Sequence, residues 1–494
     1  MQKTDIMTNS EIRNLEPKNI WKNFADLNAV PRPSKKEERV IAFMKSFGEN
    51  LGLKTIVDEV GNVIISKPAS EGMADRKAIV LQSHLDMVHQ KNNDTQFDFD
   101  KEGIQMKIEG DWVKAKGTTL GADNGLGVAT IMAILESKTL VHPAIEALFT
   151  IDEETGMTGA MGLKSGLLNG EILLNLDTEE DDEIGIGCAG GVDITATRSY
   201  KEEATEAEKT GFKITVSGLQ GGHSGMDIHK GLGNANKIMN RILLDGFEDY
   251  GLRIASLEGG GLRNAIPRES VAVVAVDNII LEAFLQDMKE TAKTIKEEYK
   301  TLEPNLEVQV EKVQTPETVM SLGVQEGLTR ALQAAWNGVY RISPDIPDLV
   351  ETSNNVARVS VKEKQIEILC LTRSSVESSR IDLANTLRSV FELIGCEVTF
   401  SGEYPGWQPN MESPILNVLK EKYKELNNEE AHVAACHAGL ECGILGQNYP
   451  EMDMISFGPT IKGAHSPDER ASISSVQKYW KFVQEILKDI PKKS

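Results

Sequence analysis

Three apolar runs, AIVLQSHLD (residues 78–86), IEALFTIDEE (145–154) and EILLNLD (171–177), determine the architecture that the sequence predicts. Each has the length of a strand, and a helical pattern, LGVATIMAILES (126–137), lies between the first two. Apolar strands that alternate with helices are typical of a mostly parallel sheet with helices on both faces. All three runs end in His, Asp or Glu. Because ligands bind outside the carboxyl ends of such strands, we expect a functional site at that edge.

The length of 494 residues exceeds one compact core, since single cores stop growing at roughly 250–300 residues. Beyond Gly191 the sequence changes to a charged segment, SYKEEATEAEKTG, expected to be an exposed boundary. Alternating strands and two amphipathic helices follow: FKITVSGL, SVAVVAV, LEVQVEKV, ARVSVKEKQIEILCL, LEAFLQDMKETAKTIKEEYK and VESSRIDLANTLRSVFELIG. We therefore predict a discontinuous α/β domain, residues 1–190 and 402–494, interrupted by an inserted α+β domain, residues 191–401.

The charge excludes several classes of partner. Lys and Arg number 53 and Asp and Glu 75, a formal net charge of −22, which repels nucleic acid and anionic membrane surfaces. The N-terminal sequence has no apolar signal segment, and no run approaches the roughly 18–20 apolar residues of a membrane helix. Five cysteines without a CxxC pair indicate reduced thiols. We predict a cytoplasmic protein with neither nucleic-acid nor membrane partners.

The motif SHLDMVH places His84 and Asp86 two residues apart at the end of a strand, hence on one face. His84 can bind a metal through one ring nitrogen while Asp86 orients the ring; a surface turn explains the pair equally well. In TTLGADNGLGVAT, Asp123 lies between glycines at the start of a helix. The helix N-terminus favours its anionic form, although a simple N-cap is the alternative.

Three consecutive carboxylates, Asp152, Glu153 and Glu154, directly follow the apolar strand within IEALFTID. Like charges this close repel one another unless water or a cation relieves them. Adjacent side chains diverge, so Glu154 can bind a metal while Glu153 acts as a general base towards water. A solvated acidic turn is the alternative.

Asp177 ends the strand in LLNLDTEE, and His465 lies in the loop SFGPTIKGAHSPDER. Two histidines and three carboxylates at strand ends form a plausible set of ligands for two zinc ions, with Asp123 as the bridge: His84, Asp123, Glu154, Asp177 and His465. Such metals lie roughly 3.5–4 Å apart. The same ligands also suit manganese or cobalt.

The ordered motifs SHLDMV, GADNG, DEETG, NLD and GAHSPDE resemble the dinuclear zinc aminopeptidase, acylase and carboxypeptidase superfamily. The strings SGLQGGHSGMDI and LEGGGLRNAIP resemble its cytosolic non-specific dipeptidase, or Xaa-His dipeptidase, family, over nearly the whole chain. This resemblance implies a zinc exopeptidase-like catalytic domain with an inserted lid domain that can also serve for homodimerisation. It implies hydrolysis of unblocked dipeptides, Xaa-His and, with broad specificity, Cys-Gly among them.

Roles of individual residues follow from the same resemblance. It assigns His84 and Asp177 to one zinc, Glu154 and His465 to the other, Asp123 to both, Glu153 to general-base catalysis and Asp86 to tuning of His84. It implies a non-prolyl cis peptide between Asp123 and Asn124. In the inserted domain it assigns His223 to the tetrahedral oxyanion, Asn264 to substrate contact and Arg373 to the C-terminal carboxylate of the substrate.

Two other functions stay open. One is an N-acyl amino acid amidohydrolase or carboxypeptidase that uses the same metals on a different amide. The other is a metal- or peptide-binding protein without catalysis. The presence of Glu153 argues against the second, because a pure binder needs no base beside its ligands.

Overall fold

The structure is a computed structural model that describes residues 9–493. The chain forms two compact units. The first unit runs to Gly187 and resumes over Pro409–Ala435 and from Leu440, and the second unit comprises Cys188–Gln408 and Cys436–Gly439. The domain boundaries predicted from the sequence, after residues 190 and 401, remain predictions. Within residues 9–493 no helix has the length and apolar character that a membrane crossing requires.

The first unit is built on an eight-stranded sheet. Its strands are, in spatial order, Lys54–Val57, Val63–Lys67, Ile145–Thr150, Ile79–His84, Ile172–Asn175, Asp453–Ser456, Glu183–Cys188 and His432–Cys436. The α/β class is confirmed: the four strands from Ile145–Thr150 to Asp453–Ser456 pair in parallel, and the edge formed by Lys54–Val57 and Val63–Lys67 pairs antiparallel. The strands Lys54–Val57 and Val63–Lys67 pair antiparallel because a short turn joins them, whereas parallel neighbours need a crossover connection.

Helices and a small sheet complete this unit. The helices are Lys18–Asn28, Glu38–Asn50, Ala122–Glu136, Thr158–Gly162, Pro414–Asn427, Glu441–Asn448 and Ile473–Lys488, with a 3-10 turn at Ile12–Asn14. The small sheet contains Ile461–Lys462, Arg470–Ser472, Trp112–Ala115 and Met106–Glu109. The helix Ala122–Glu136 is apolar on all sides and buried along nearly its whole length, as such a helix must be. It packs against the strand Ile79–His84 and the helix Lys18–Asn28.

The second unit has an antiparallel sheet, as expected of an α+β domain. The strands are, in spatial order, Glu307–Val313, Lys209–Ser217, Ser270–Asp277, Arg253–Gly260, Val350–Lys362, Gln365–Ser374, Gly190–Ser199 and Glu397–Tyr404, with Gly338–Ile342 beside Val350–Lys362. The helices are Ala235–Tyr250, Leu281–Tyr299, Leu322–Ala334 and Glu377–Leu393, with 3-10 turns at Ile228–Lys230 and Asn278–Ile280. Alternate residues of the strands bury their side chains under these helices, which forms the core of the unit.

Two details differ from the sequence prediction. The run ARVSVKEKQIEILCL is a hairpin rather than one strand, because Glu363 and Lys364 turn the chain at φ values of 50° and 61°. Turns of this kind usually contain Gly or Asn, so the sequence carried no signal for it. The charged segment 199–211 is also partly regular, since Glu202–Ala204 pairs with Thr318–Met320.

Candidate metal centre

The carboxyl ends of the central parallel strands bring the predicted ligands of the first unit together. His84 is the last residue of its strand, and the parallel ladder sets it level with Thr150, two residues before the first of the carboxylates Asp152 to Glu154. Asp177 follows the neighbouring strand Ile172–Asn175. Asp123 lies in the first turn of the buried helix, and His465 lies in the loop before Arg470–Ser472. The candidate ligands at this edge therefore come from the chain both before and after the sequence of the second unit.

Two groups of ligand atoms share Asp123. In the first group, His84 Nε2 lies 3.2 Å from Asp123 Oδ1 and 3.6 Å from Asp177 Oδ1. In the second, His465 Nε2 lies 3.1 Å from Asp123 Oδ2 and 3.0 Å from Glu154 Oε2. Within each group one ligand atom per residue lies within 4.8 Å of the others. The two carboxylate oxygens of Asp123 therefore serve different groups, which is the arrangement of a bridging ligand.

The electrostatics of these groups fit divalent cations. Burial and the charge of Asp123 raise the pKa of Asp177 well above its ordinary value, against the opposing effect of His84. Burial alone would lower the pKa of His84, but Asp177, Asp123 and Asp86 raise it well above 6.5. The buried oxygen Oε1 of Glu154 has no hydrogen-bond partner. Crowded carboxylates, an orphaned ligand oxygen and imidazole nitrogens together form a donor set that suits zinc.

Glu153 and Glu154 have different surroundings although they are adjacent. The side chain of Glu154 is 3% exposed and faces His465, whereas that of Glu153 is 14% exposed. Glu153 Oε2 lies 3.9 Å from His84 Nε2, and burial together with Asp177 and Glu154 raises the pKa of Glu153 well above its ordinary value, against the effect of His84. Glu153 also groups with His84 and Glu154, so it lies beside the ligands without joining the two groups that share Asp123.

Asp86 holds three parts of the centre in place. Its Oδ1 lies 3.3 Å from His84 Nδ1, which leaves Nε2 of the ring directed at Asp123. The same carboxylate accepts hydrogen bonds from the backbone N–H groups of Glu153 at 3.0 Å and Glu154 at 3.2 Å. The hydroxyl of Ser34 donates to it at 2.7 Å. Asp86 therefore orients a histidine and fixes the backbone of both glutamates.

The peptide bond between Asp123 and Asn124 is cis, as the resemblance predicted. The side-chain amide of Asn124 donates to the carbonyl of Leu176 at 2.8 Å and to Asp177 Oδ1. The residue after the shared carboxylate thus orients a second candidate ligand. Among residues 9–493, one further acidic group with metal-compatible spacing lies behind the centre: Glu37, Asp86 and Asp152.

His223, Asn264 and Arg373 lie in the second unit. Nδ1 of His223 accepts hydrogen bonds from the backbone N–H groups of Gly225 at 3.2 Å and Met226 at 3.0 Å. Nδ1 therefore carries no proton, and the neutral ring carries its proton on Nε2 as a donor. Burial and the charge of Arg373 lower the pKa of His223, against the effect of Asp227. Asn264 is exposed, and its carbonyl accepts from Ser224 N–H at 2.8 Å.

Arg373 is a buried cation beside His223. A Cβ added at Gly225 would lie 3.2 Å from both Arg373 Nε and His223 Cε1, so these two groups are neighbours. The guanidinium donates to Tyr404 Oη, and its Nε has no hydrogen-bond partner. Asp193 forms its ion pair with Arg263, and burial raises the pKa of Asp193 against the effects of Arg263 and Arg373. Burial and Arg373 lower the pKa of His437 to about 3. A buried guanidinium whose Nε lacks a partner provides a binding position for an external carboxylate.

Glu441, in the Gly-rich stretch HAGLECG, is a further buried acidic residue beside the centre that no motif of the sequence indicated. Glu441 is buried and accepts hydrogen bonds from Gln82 Nε2 and Thr150 Oγ1, each at 2.6 Å. Burial raises its pKa to about 7, against the effect of His84. An acidic residue inside an apolar, Gly-rich loop was the available signal. Ser34, Arg32 and Glu469 were not predicted either: Arg32 and Glu469 bind backbone atoms distant in sequence, and Ser34 donates to the Asp86 carboxylate from 52 residues away.

Comparisons with known proteins agree with one another. The family profile described as Peptidase family M20/M25/M40 matches residues 80–489. The cytosol non-specific dipeptidase of Escherichia coli (strain K12) is 44% identical over 484 residues, which cover 98% of this chain and 100% of that protein. The crystal structure of aminoacylhistidine dipeptidase from Vibrio alginolyticus superposes with a TM-score of 0.92 at 43% identity, covering 98% of this chain and 99% of that chain. The crystal structure of an aminopeptidase from Bacillus cereus shares the fold, with a TM-score of 0.57 at 14% identity over 96% and 99% of the two chains.

Proposed function

Because this chain belongs to Peptidase family M20/M25/M40, we propose that it is a metallodipeptidase, which hydrolyses the peptide bond of unblocked dipeptides at a centre of two divalent metal ions. This proposal rests on the similarity of the chain, over nearly its full length, to a cytosolic dipeptidase. It is supported by the two groups of possible metal ligands that share the carboxylate of Asp123. Zinc is the proposed metal, because imidazole and carboxylate donors suit it.

Five residues would hold the metals. His84 and Asp177 would bind one ion, Glu154 and His465 the other, and Asp123 both. When bound, the pair of ions makes water more acidic and polarises the carbonyl of the peptide bond. Asp86 keeps the His84 ring directed at its ion and holds the backbone of the adjacent glutamates.

Glu153 is the proposed general base and acid. Its carboxylate lies beside the ligands and is more exposed than that of Glu154, so it can accept a proton from the attacking water. The same carboxyl group then delivers the proton to the amine of the departing amino acid. One group thereby serves both proton transfers of peptide hydrolysis.

Residues of the second unit supply binding roles in this proposal. His223 donates its Nε2–H to the oxyanion, and its lowered pKa keeps the ring neutral with that proton in place near pH 7. Arg373 binds the C-terminal carboxylate of the dipeptide, for which its unpartnered Nε provides a donor. Asn264 is the proposed substrate contact on the neighbouring loop.

Replacing His223 with alanine is expected to lower kcat about 10²–10³-fold, because an oxyanion donor is lost. The metal content should stay that of the wild type, since His223 belongs to none of the ligand groups. Steady-state kinetics with a dipeptide and metal analysis of the purified variant measure both quantities. The exposed His229 on the same loop provides the control, His229→Ala, which should keep wild-type kcat. Equal kinetics for the two variants would remove His223 from the mechanism.

A panel of blocked and free substrates tests the proposed activity. Xaa-His dipeptides should be cleaved, and their N-acetylated forms should not, because a free ammonium group complements the acidic centre. C-terminal amides should be poor substrates, since Arg373 loses its carboxylate partner. Assays with zinc, manganese and cobalt, read by amino acid release, measure this. Release only from N-acetylated substrates would identify an acylase, and metal binding without any cleavage would identify a binding protein.

The proposed location is the cytosol, on the strength of the cytosolic relative from Escherichia coli. The net charge of −22 supports the absence of nucleic-acid and membrane partners. A homodimer is retained as the proposed assembly, which size-exclusion chromatography with light scattering would test.

A further inference from the structure

The four residues from Leu120 to Asp123, here called the ligand loop, direct their backbone N–H groups at one carboxylate. Glu469 Oε2 accepts from Leu120 N at 2.6 Å and from Gly121 N at 2.9 Å. Glu469 Oε1 accepts from Ala122 N at 2.7 Å and from Asp123 N at 3.3 Å. Glu469 is 2% exposed, so water does not compete for these bonds. A single buried carboxylate therefore satisfies every N–H group of the ligand loop.

This carboxylate replaces a local helix cap. The first N–H groups of a helix lack partners within it and are usually satisfied by a neighbouring side chain. Gly121, at φ 69°, provides no side-chain cap, and Asp123 and Asn124 depart from helical backbone angles, so the regular helix begins only after them and leaves the N–H groups of the ligand loop without helical partners. Glu469 supplies the acceptors from 346–349 residues away in the sequence. Hydrogen bonds to a charged acceptor are stronger than those to a neutral one.

The carbonyl side of the ligand loop is held by two other buried residues. Arg32 Nη2 donates to Gly121 O at 2.6 Å, and Asn28 Nδ2 donates to Leu120 O at 2.9 Å. Arg32 Nη1 also donates to Leu85 O at 3.0 Å and to the Asp86 carbonyl at 2.9 Å. Arg32, which is 1% exposed, thus joins the ligand loop to the backbone that follows His84.

From these contacts we propose that Glu469 is a positioning residue for the dinuclear centre, with Arg32 and Asn28 as its counterparts on the carbonyl side. Glu469 lies four residues after His465 and binds the backbone of Asp123, so it ties two ligands of the second group to each other. It thereby sets the direction of the shared carboxylate towards both groups. This inference rests on the proposed function, because it assumes that the two groups hold metals.

The variant Glu469→Gln tests the inference through metal binding. The amide keeps one acceptor oxygen and places an NH₂ group against N–H groups of the ligand loop, so Asp123 should lose its fixed direction. We expect the dissociation constant for zinc, measured by competition with a chelating indicator on apo protein without substrate, to rise about 10–100-fold. The kcat for a dipeptide at limiting zinc should fall with it.

The matched control is Asp453→Asn, at the opposite end of the parallel strands. Asp453 accepts from Ser413 Oγ at 2.7 Å and from Ile415 N at 3.2 Å, so it also caps a helix with a carboxylate. We expect its zinc affinity to stay within about twofold of the wild type. Glu469→Gln should weaken zinc binding. The Tm of its apo protein should stay near the apo Tm of Asp453→Asn, so the weaker binding does not come from a general loss of stability. Equal zinc affinity for Glu469→Gln and wild type, or an equal loss in both variants, would overturn the inference.

Asn28→Ser serves if Glu469→Gln does not fold, because it removes the amide that binds Leu120 O, Arg32 and Met106 Sδ and leaves Glu469 itself unchanged. Its zinc affinity should fall at least about threefold, and unchanged affinity would count against the inference. The wild type separates this result from the proposed function. If wild-type protein binds no zinc or cleaves no dipeptide, the proposed function fails, whereas a difference confined to the variants concerns Glu469 alone.

Discussion

Glu153→Gln is expected to lower kcat for dipeptide hydrolysis about 10³-fold while two metal ions stay bound. The amide has nearly the shape of the carboxylate but cannot accept the proton of the attacking water, and general-base catalysis typically contributes 10²–10⁴-fold. Glu153 stands outside the two groups that share Asp123, and its backbone N–H remains bound to Asp86. Steady-state kinetics and metal analysis of the same preparation measure the two quantities.

The adjacent Glu154→Gln provides the matched comparison. Glu154 Oε2 lies 3.0 Å from His465 Nε2, and its other oxygen is buried without a partner, so this variant should lose metal from the second group. Its activity should recover in part with excess zinc, whereas that of Glu153→Gln should not. If Glu153→Gln loses metal and Glu154→Gln keeps it, the two roles are reversed. Wild-type turnover by Glu153→Gln would assign the proton transfers to another group.

Asp123→Ala should abolish dipeptide hydrolysis and leave no tightly bound metal. Asp123 offers Oδ1 to the group of His84 and Oδ2 to the group of His465, so its removal weakens both positions at once. Metals stabilise charge in the transition state by several kcal/mol, which corresponds to a loss of roughly 10³-fold or more. Metal content after dialysis and the residual rate measure the effect.

Asp177→Ala is the comparison that isolates the bridge. Asp177 faces only the group of His84, at 3.6 Å, so this variant should retain about one ion per chain, bound through the second group. Two ions retained in Asp123→Ala would show that Asp123 is not shared. Equal loss in both variants would show that the two positions fill only together.

Much of the candidate centre could be predicted because its chemistry appears locally in the sequence. Strands that end in His or Asp place such residues at one edge of a parallel sheet, and His84 and Asp177 illustrate this. The adjacency of Glu153 and Glu154 predicted crowded charge, and burial together with Asp177 and Glu154 does raise the pKa of Glu153. The cis peptide after Asp123 came from the resemblance alone, since nothing in Asp-Asn dictates it.

The rest could not be predicted because it depends on contacts between distant backbone atoms. Glu469 binds N–H groups more than 340 residues earlier in the chain. The sequence alone does not distinguish it from any other acidic residue of its loop. Arg32 is buried, although arginine usually lies at the surface. The antiparallel pairing at one edge of the sheet depends on which connections are short turns, as between Lys54–Val57 and Val63–Lys67. Periodicity does not reveal that.

The C-terminal strand Asp453–Ser456 has a consequence for the order in which the chain becomes complete during synthesis. This strand pairs with Ile172–Asn175, so a ribosome that has reached residue 440 carries a first unit whose sheet still has an unpaired apolar edge. At that stage Glu469 has not been made, so the N–H groups of Leu120 to Asp123 lack the acceptor that they have in the complete protein. The second unit is nearly continuous, and almost all of it has emerged by then. Until residues 453–456 are made, the strand Ile172–Asn175 keeps one unpaired edge, and such edges favour aggregation.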